Sequence, residues 1–186
     1  MASRASALDG HYNPGRFGIQ NAGHVTLQEI RGLTLGQVAA WPDSVESVAS
    51  AVAQQAGIET APGPGKAAES GEVTVLRIEP LKWLLVGTLI DEMEPEQGVL
   101  LDLSHSRTHI RVGGERAAAT LNRLLPLDLR EHAFPVGSAA SSAMHHVGVT
   151  LWRSQHGYEL LLPRGFALAS WEIIVETAQQ FDAEIV

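Results

Sequence analysis

Val99-Leu-Leu-Asp-Leu103, then Ser104-His-Ser-Arg107, then Thr108-His-Ile-Arg-Val112: two short runs with apolar residues at alternate positions, separated by a polar tetrapeptide. Alternation is the period of a half-buried strand, and two such runs on a short polar link predict a β-hairpin. Gly113-Gly114 breaks the period. Over 115–125, Ala118, Leu121, Leu124 and Leu125 then recur at helical spacing, with Glu115 in the first turn, where the helix dipole favours an acid, and Pro126 as the stop. Val147-Gly-Val-Thr-Leu-Trp152 and Tyr158-Glu-Leu-Leu-Leu162 flank a polar loop that ends in Gly157, a residue free to take the positive φ such loops use. Residues 99–163 therefore predict strand, strand, helix, strand, strand.

Working outward, residues 1–23 are polar and rich in Gly and Ser, with Asn13-Pro14-Gly15 as a turn signal, and are expected to form a flexible N-terminal arm or a disordered end. Residues 24–186 are expected to form a single domain. Two β-prone pieces occur around Val25-Thr-Leu27 and from Leu33 to Val38. A helix follows, with Asp43 and Glu46 spaced as a capping box, Val45, Val48, Val52 and Ala56 on one face, and Gly57 at the stop. Residues 58–71 read as a Pro/Gly loop. Val73-Thr-Val-Leu-Arg-Ile78 and Leu81-Lys-Trp-Leu-Leu-Val86 predict another hairpin, Asp91, Glu92, Glu94 and Glu96 an acidic loop, and Leu168, Trp171, Val175 and Ala178 a final amphipathic helix.

Strand, helix and hairpin thus occur at 33–86 and again at 108–162, with Trp83-Leu-Leu-Val86 and Tyr158-Glu-Leu-Leu-Leu162 in corresponding places. The layout is compatible with an internal repeat, and equally with the chance likeness of short apolar strands. In either case it predicts an α+β fold, an antiparallel or mixed sheet with helices packed on one face.

The chain has 186 residues, 45% of them hydrophobic, enough to bury roughly 70% of the unfolded surface without disulfides or metals. Its formal net charge of -8 argues against a general nucleic-acid binder, which needs a basic face. The absence of cysteine excludes disulfides, thiolate-held clusters and thiol catalysis, and fits a reducing cytoplasm. There is no apolar run of the roughly 20 residues that a membrane span needs. Nor do residues 1–23 hold the apolar core of a signal peptide, so a soluble cytoplasmic protein is expected.

Chemical motifs are sparse. His105 and His109 lie four residues apart, which on a strand separates them by about 13 Å, too far for one zinc ion whose ligands reach to about 2.1 Å. His145-His146 point to opposite faces of an extended chain. Thr60-Ala-Pro-Gly-Pro-Gly-Lys66 is close to a phosphate loop but lacks its first glycine and the Ser or Thr after the lysine. Trp83, Trp152, Tyr158 and Trp171 sit on apolar faces and are expected in the core, with each indole N–H finding an acceptor. Asp91, Glu92, Glu94 and Glu96 could supply paired carboxylates but sit in a loop with no base or apolar pocket to set their pKa values apart, which leaves Arg107, His109 and Arg111. If Thr108, Ile110 and Val112 face inward, these three make a basic stripe on the other face, partly neutralised by Asp102 on the neighbouring strand, and this is the candidate partner interface. No catalytic, cofactor-binding or metal-ligating residue is assigned.

A resemblance extends this reading. Leu101-Asp-Leu-Ser-His-Ser-Arg107, Ile110-Arg-Val-Gly113, Leu124-Leu-Pro-Leu-Asp-Leu129, Phe134-Pro-Val-Gly137, His146-Val-Gly-Val149 and Tyr158-Glu-Leu-Leu-Leu-Pro-Arg-Gly-Phe-Ala167 with Trp171 resemble, in order and spacing, the gamma subunit of heterotetrameric sarcosine oxidase. More distantly, the Asp-x-Ser followed by strand, glycine and helix resembles the folate-binding domain of the glycine-cleavage aminomethyltransferase. The first resemblance implies a subunit without a flavin of its own. The FAD, FMN, NAD and tetrahydrofolate would lie in partner chains, the larger alpha and beta subunits beside a small delta subunit. The complex would oxidise sarcosine to glycine and pass the one-carbon unit to tetrahydrofolate or release it as formaldehyde. The alternatives are the equivalent subunit of another N-methyl amino acid dehydrogenase and a freestanding folate-dependent aminomethyltransferase-like protein. The last would need a ligand-binding acid in a pocket, and the motif offers only Asp102.

Overall fold

In the computed structural model, residues 5–186 are described, and the first four residues of the expected arm lie outside them. The strands are β1 (Gly15–Gly18), β2 (His24–Ile30), β3 (Leu35–Ala40), β4 (Lys66–Ser70), β5 (Val73–Glu79) and β6 (Lys82–Val86), then β7 (Gly98–Asp102), β8 (Arg107–Gly113), β9 (Ala139–Met144), β10 (Val147–Ser154), β11 (Gly157–Pro163) and β12 (Asp182–Ile185). The helices are α1 (Val45–Ala56), α2 (Ala117–Leu121) and α3 (Ala167–Ala178). This is the mixed α+β layer fold that the periodicities predict, with its strands shared between two sheets. Two compact units follow the sheets: residues 32–105 with 137–140, and the remainder of the chain.

In the smaller unit the sheet order is β4-β5-β6-β3-β7. One face carries Val38, Val75, Trp83 and Leu85, and α1 covers it with Val48, Val52 and Ala56. Gly57 ends α1 in the left-handed conformation, φ 65°, as its position in the sequence predicts. The start of the helix differs. Pro42–Ser44 form a single 3-10 turn and Ser44 takes the N-cap place, so the capping box of Asp43 and Glu46 does not form. The Ser44 hydroxyl instead donates to the Trp41 and Gln97 carbonyls. The expected loop at 58–71 contains β4, which pairs antiparallel with β5. Gly71, at φ 58°, turns the chain so that Lys66 stands opposite Arg77.

In the larger unit the order is β1-β12-β2-β8-β11-β10-β9. The hairpin of β10 and β11 is as read, and Gly157, the first residue of β11 after the turn, takes φ 141°. Residues 15–18 of the expected arm form β1 against β12, and Leu8 is fully buried. Helix α2 is confined to Ala117–Leu121, and the chain to Leu125 continues as turns closed on the Leu121 carbonyl. The buried stripe of α3 is Ala167, Ser170, Trp171, Ile174 and Ala178, with Leu168 and Val175 half-buried at its margins.

The predicted hairpin of β7 with β8 does not form. β7 pairs with β3 in one sheet, whereas β8 pairs with β2 and β11 in the other. This exchange exposes an internal repeat. β3, α1, β4, β5, β6 give the order β4-β5-β6-β3, and β8, α2, β9, β10, β11 give β9-β10-β11-β8. Each repeat opens with one more strand, β2 or β7, and each of these pairs with the other repeat. Trp83 stands opposite Val38 and Tyr158 opposite Val112, so the two aromatic residues matched in the sequence occupy matching places.

Candidate functional site

Cross-strand register brings the charged residues of the larger unit together. β8 lies between β2 and β11, with His109 opposite Leu161 and Arg111 opposite Glu159. Glu159 is 1% exposed in the middle of an apolar strand. Its carboxylate accepts three donors: His109 Nε2 at 2.8 Å, Arg111 Nε at 2.7 Å and Ser154 Oγ at 2.8 Å. The His109 ring tilts against Trp152 with centroids 5.2 Å apart. Burial pushes the Glu159 carboxyl up, but the hydrogen bonds of His109 and Ser154 and the charges of His109 and Arg111 outweigh it and hold the group below its ordinary value.

Of the expected stripe, then, His109 is buried at 5% exposure, while Arg107 and Arg111 are half-buried. Arg107 donates to the Ser106 carbonyl and hydroxyl. The acid that bonds His109 and Arg111 is Glu159, and Asp102 is not on a strand adjacent to β8. Alternation assigned the three basic residues to one face, but only register could supply Glu159. The available signal was a glutamate set into the apolar run Tyr158-Glu-Leu-Leu-Leu162.

Chemically the cluster is closed. Ser154 Oγ donates to Glu159 and accepts from the His156 amide at 3.0 Å, so it serves the turn between β10 and β11 rather than standing as a nucleophile beside a base. Asp102 accepts the Ser104 amide at 2.8 Å and is itself exposed. Trp83, Trp152, Tyr158 and Trp171 are all buried. Tyr158 donates to the Leu129 carbonyl, but the indole N–H groups of Trp83 and Trp152 have no acceptor, contrary to the expectation for buried tryptophans. The Arg77 guanidinium stacks 4.6 Å above Trp83. A groove of about 480 Å³ lies between residues 11–17 and α3, floored by Trp171, Val175 and Ile185. Among the described residues no group of three or more His, Asp or Glu is placed to hold a metal, and no helix is long and apolar enough to cross a membrane.

No protein-family model matches the chain. Individual proteins do. The sarcosine oxidase gamma subunit of an Arthrobacter species is 32% identical over 153 residues, which cover 78% of this chain and 75% of the relative. That of Corynebacterium sp. strain P-1 is 30% identical over 89% of this chain and 85% of its own length. The chain belongs to the sarcosine oxidase gamma subunit family. Membership places it in a family of subunits of an oxidoreductase complex. Heterotetrameric sarcosine oxidase from Corynebacterium sp. U-96, solved with pyrrole 2-carboxylate, matches with a TM-score of 0.72 at 26% identity, over 84% of this chain and 85% of the matched one. Aminomethyltransferase T of the glycine cleavage system from Bartonella henselae matches with a TM-score of 0.61 at 18% identity, over 88% of this chain and 48% of the matched one. The gamma subunit family therefore shares its fold with part of that enzyme.

Proposed function

We propose that this chain is the non-catalytic gamma subunit of a heterotetrameric, flavin-dependent sarcosine oxidase that works in the cytoplasm. Its partners are the larger alpha and beta subunits and a small delta subunit, and those chains carry the FAD, FMN, NAD and tetrahydrofolate. The observation that supports this best is the likeness to gamma subunits along most of both chains. Local chemistry agrees. The Glu159 cluster is saturated by its own donors, Asp102 is exposed on β7, and no glycine-rich dinucleotide turn follows a strand. Arg107 and Arg111, which keep part of their guanidinium surface, can contribute to the subunit contact, with His109 beneath them positioning Glu159.

Co-expression with flavin-bearing alpha and beta chains should give a yellow complex that contains this chain, survives gel filtration and oxidises sarcosine. The chain alone should be colourless and bind tetrahydrofolate weakly. Micromolar tetrahydrofolate binding by calorimetry would instead support the freestanding aminomethyltransferase-like reading. A complex that prefers another N-methyl amino acid would replace the substrate and leave the role intact.

A further inference from the structure

Among the described residues β7 ends the five-stranded sheet, where its ladder partner is β3. The ladder assigns its two sides. Trp41 N–H donates to the Gln97 carbonyl at 3.0 Å and Leu103 N–H to the Leu35 carbonyl at 2.8 Å. Odd-numbered residues from 97 to 103 therefore turn their main-chain groups toward β3, and Leu100 turns its N–H and C=O outward. Val99 and Leu101 are 43% and 49% exposed, so this edge combines outward amides with large apolar side chains. Proteins generally cover, charge or interrupt such an edge, because it templates pairing with another strand.

The internal repeat shows what such an edge accepts. Leu100 stands opposite Val38 as Leu27 of β2 stands opposite Val112, so β7 and β2 are equivalent strands. The outer side of β2 is paired in parallel by β12, and the Val186 amide donates to the Leu27 carbonyl at 3.0 Å. Leu27 is consequently fully buried, whereas Leu100 is only half-buried. Among the described residues no strand stands beside β7 as β12 stands beside β2. The chain that leads into β7 carries exposed Asp91, Glu92, Glu94 and Glu96.

We propose that β7 is a strand-addition site. An extended segment of a larger subunit pairs along its outer side, parallel as β12 is to β2. It sets apolar side chains against Val99 and Leu101 and carries Lys or Arg just before its first paired residue, opposite the acidic run. Main-chain bonds supply the affinity and the alternate side chains the specificity, while the opposed charges speed encounter and make it sensitive to salt. The inference rests on the assignment of the chain as a subunit of that complex.

Residue-resolved hydrogen exchange on the free chain and on the reconstituted complex tests it. The Leu100 amide should exchange at least about 100-fold more slowly in the complex, while the Val99 and Leu101 amides, bonded to β3, are slow in both. Joint Val99→Lys and Leu101→Lys substitution should leave the circular dichroism and melting of the free chain unchanged and weaken assembly about tenfold or more. Glu94→Lys with Glu96→Lys should slow association at low salt. A complex that forms with Leu100 exchange and lysine-variant affinity both unaltered overturns the strand-addition site and leaves the subunit assignment standing. Failure of any flavin-bearing partner to bind overturns both. Slowing of Leu100 in the chain alone as its concentration rises makes the occupant a second copy and overturns the larger-subunit partner.

Discussion

Glu159 is the residue on which the larger sheet's charge balance depends, since its carboxylate answers both His109 and Arg111. Removing one member of a buried ion pair is far costlier than the pair is worth, because the remaining charge is left without a partner. Glu159→Gln should therefore destabilise the chain by about 3 kcal/mol, read from the urea midpoint. The folded-state pKa of Glu159 is depressed. Its stabilisation is then complete above the unfolded value of about 4.3 and is lost as pH falls through the lower, folded value. Melting temperatures taken from pH 7 down to 3 should fall in that acid window for the wild type and follow a flatter course in Glu159→Gln. Trp171, 2% exposed and stacked on Tyr12 at 5.3 Å, should cost about 3–5 kcal/mol as Trp171→Ala, because the packed helix cannot close over so large a cavity. A change under about 1 kcal/mol in denaturation would mean that the ring is held elsewhere. The burial of Trp171 was readable from its place on an apolar stripe. That of His109 was not, because burying an imidazole requires an acceptor, and the acceptor comes from a strand fifty residues away.

At the scale of the element, local signals succeeded where one side chain or one glycine decides the outcome. Gly57 holds φ 65°, and a Cβ there would meet nothing closer than Ser70 Oγ at 3.6 Å. Gly57→Ala should thus cost only the backbone penalty, about 1–2 kcal/mol. At Gly157, with φ 141°, a Cβ would lie 2.5 Å from the Val112 carbonyl oxygen. Gly157→Ala should accordingly cost more than Gly57→Ala, since the central strand β8 must shift to admit it. Thermal denaturation of the two variants side by side gives the order. Elements without such signals were missed. β9 reads Ala-Ala-Ser-Ser-Ala-Met, a composition with little strand preference, and β12 is four residues following a helix. Both exist because neighbouring strands offer them a ladder, so their cause lies outside their own sequence.

Across the whole molecule, the exchange of β2 and β7 means that neither half of the chain owns a complete sheet. Residues 1–94 and 95–186, produced separately, should each remain unfolded or aggregate, while their co-expression should give a folded complex by gel filtration and circular dichroism. Independent folding of either half would show that the exchanged strands are dispensable. Periodicity and turn residues were enough to determine, from the sequence alone, α1, α3 and the hairpins of β5 with β6 and β10 with β11, whereas the repeat stayed open because β4 and β9, which complete its two copies, carry no local signal. The helices and hairpins depend on residues two to four apart, whose contacts are set by local geometry. The same sequence carried the likeness to gamma subunits. Which sheet each strand joins was decided only in the tertiary structure. An alternating run such as Val99-Leu-Leu-Asp-Leu103 fits equally well beside β8 or beside β3, and the adjacent segment was preferred on the sequence because closing a short loop costs least. The folded chain takes the distant partner because Leu100 then joins the core of Val38, Trp83 and α1, a gain of apolar burial that no local pattern records.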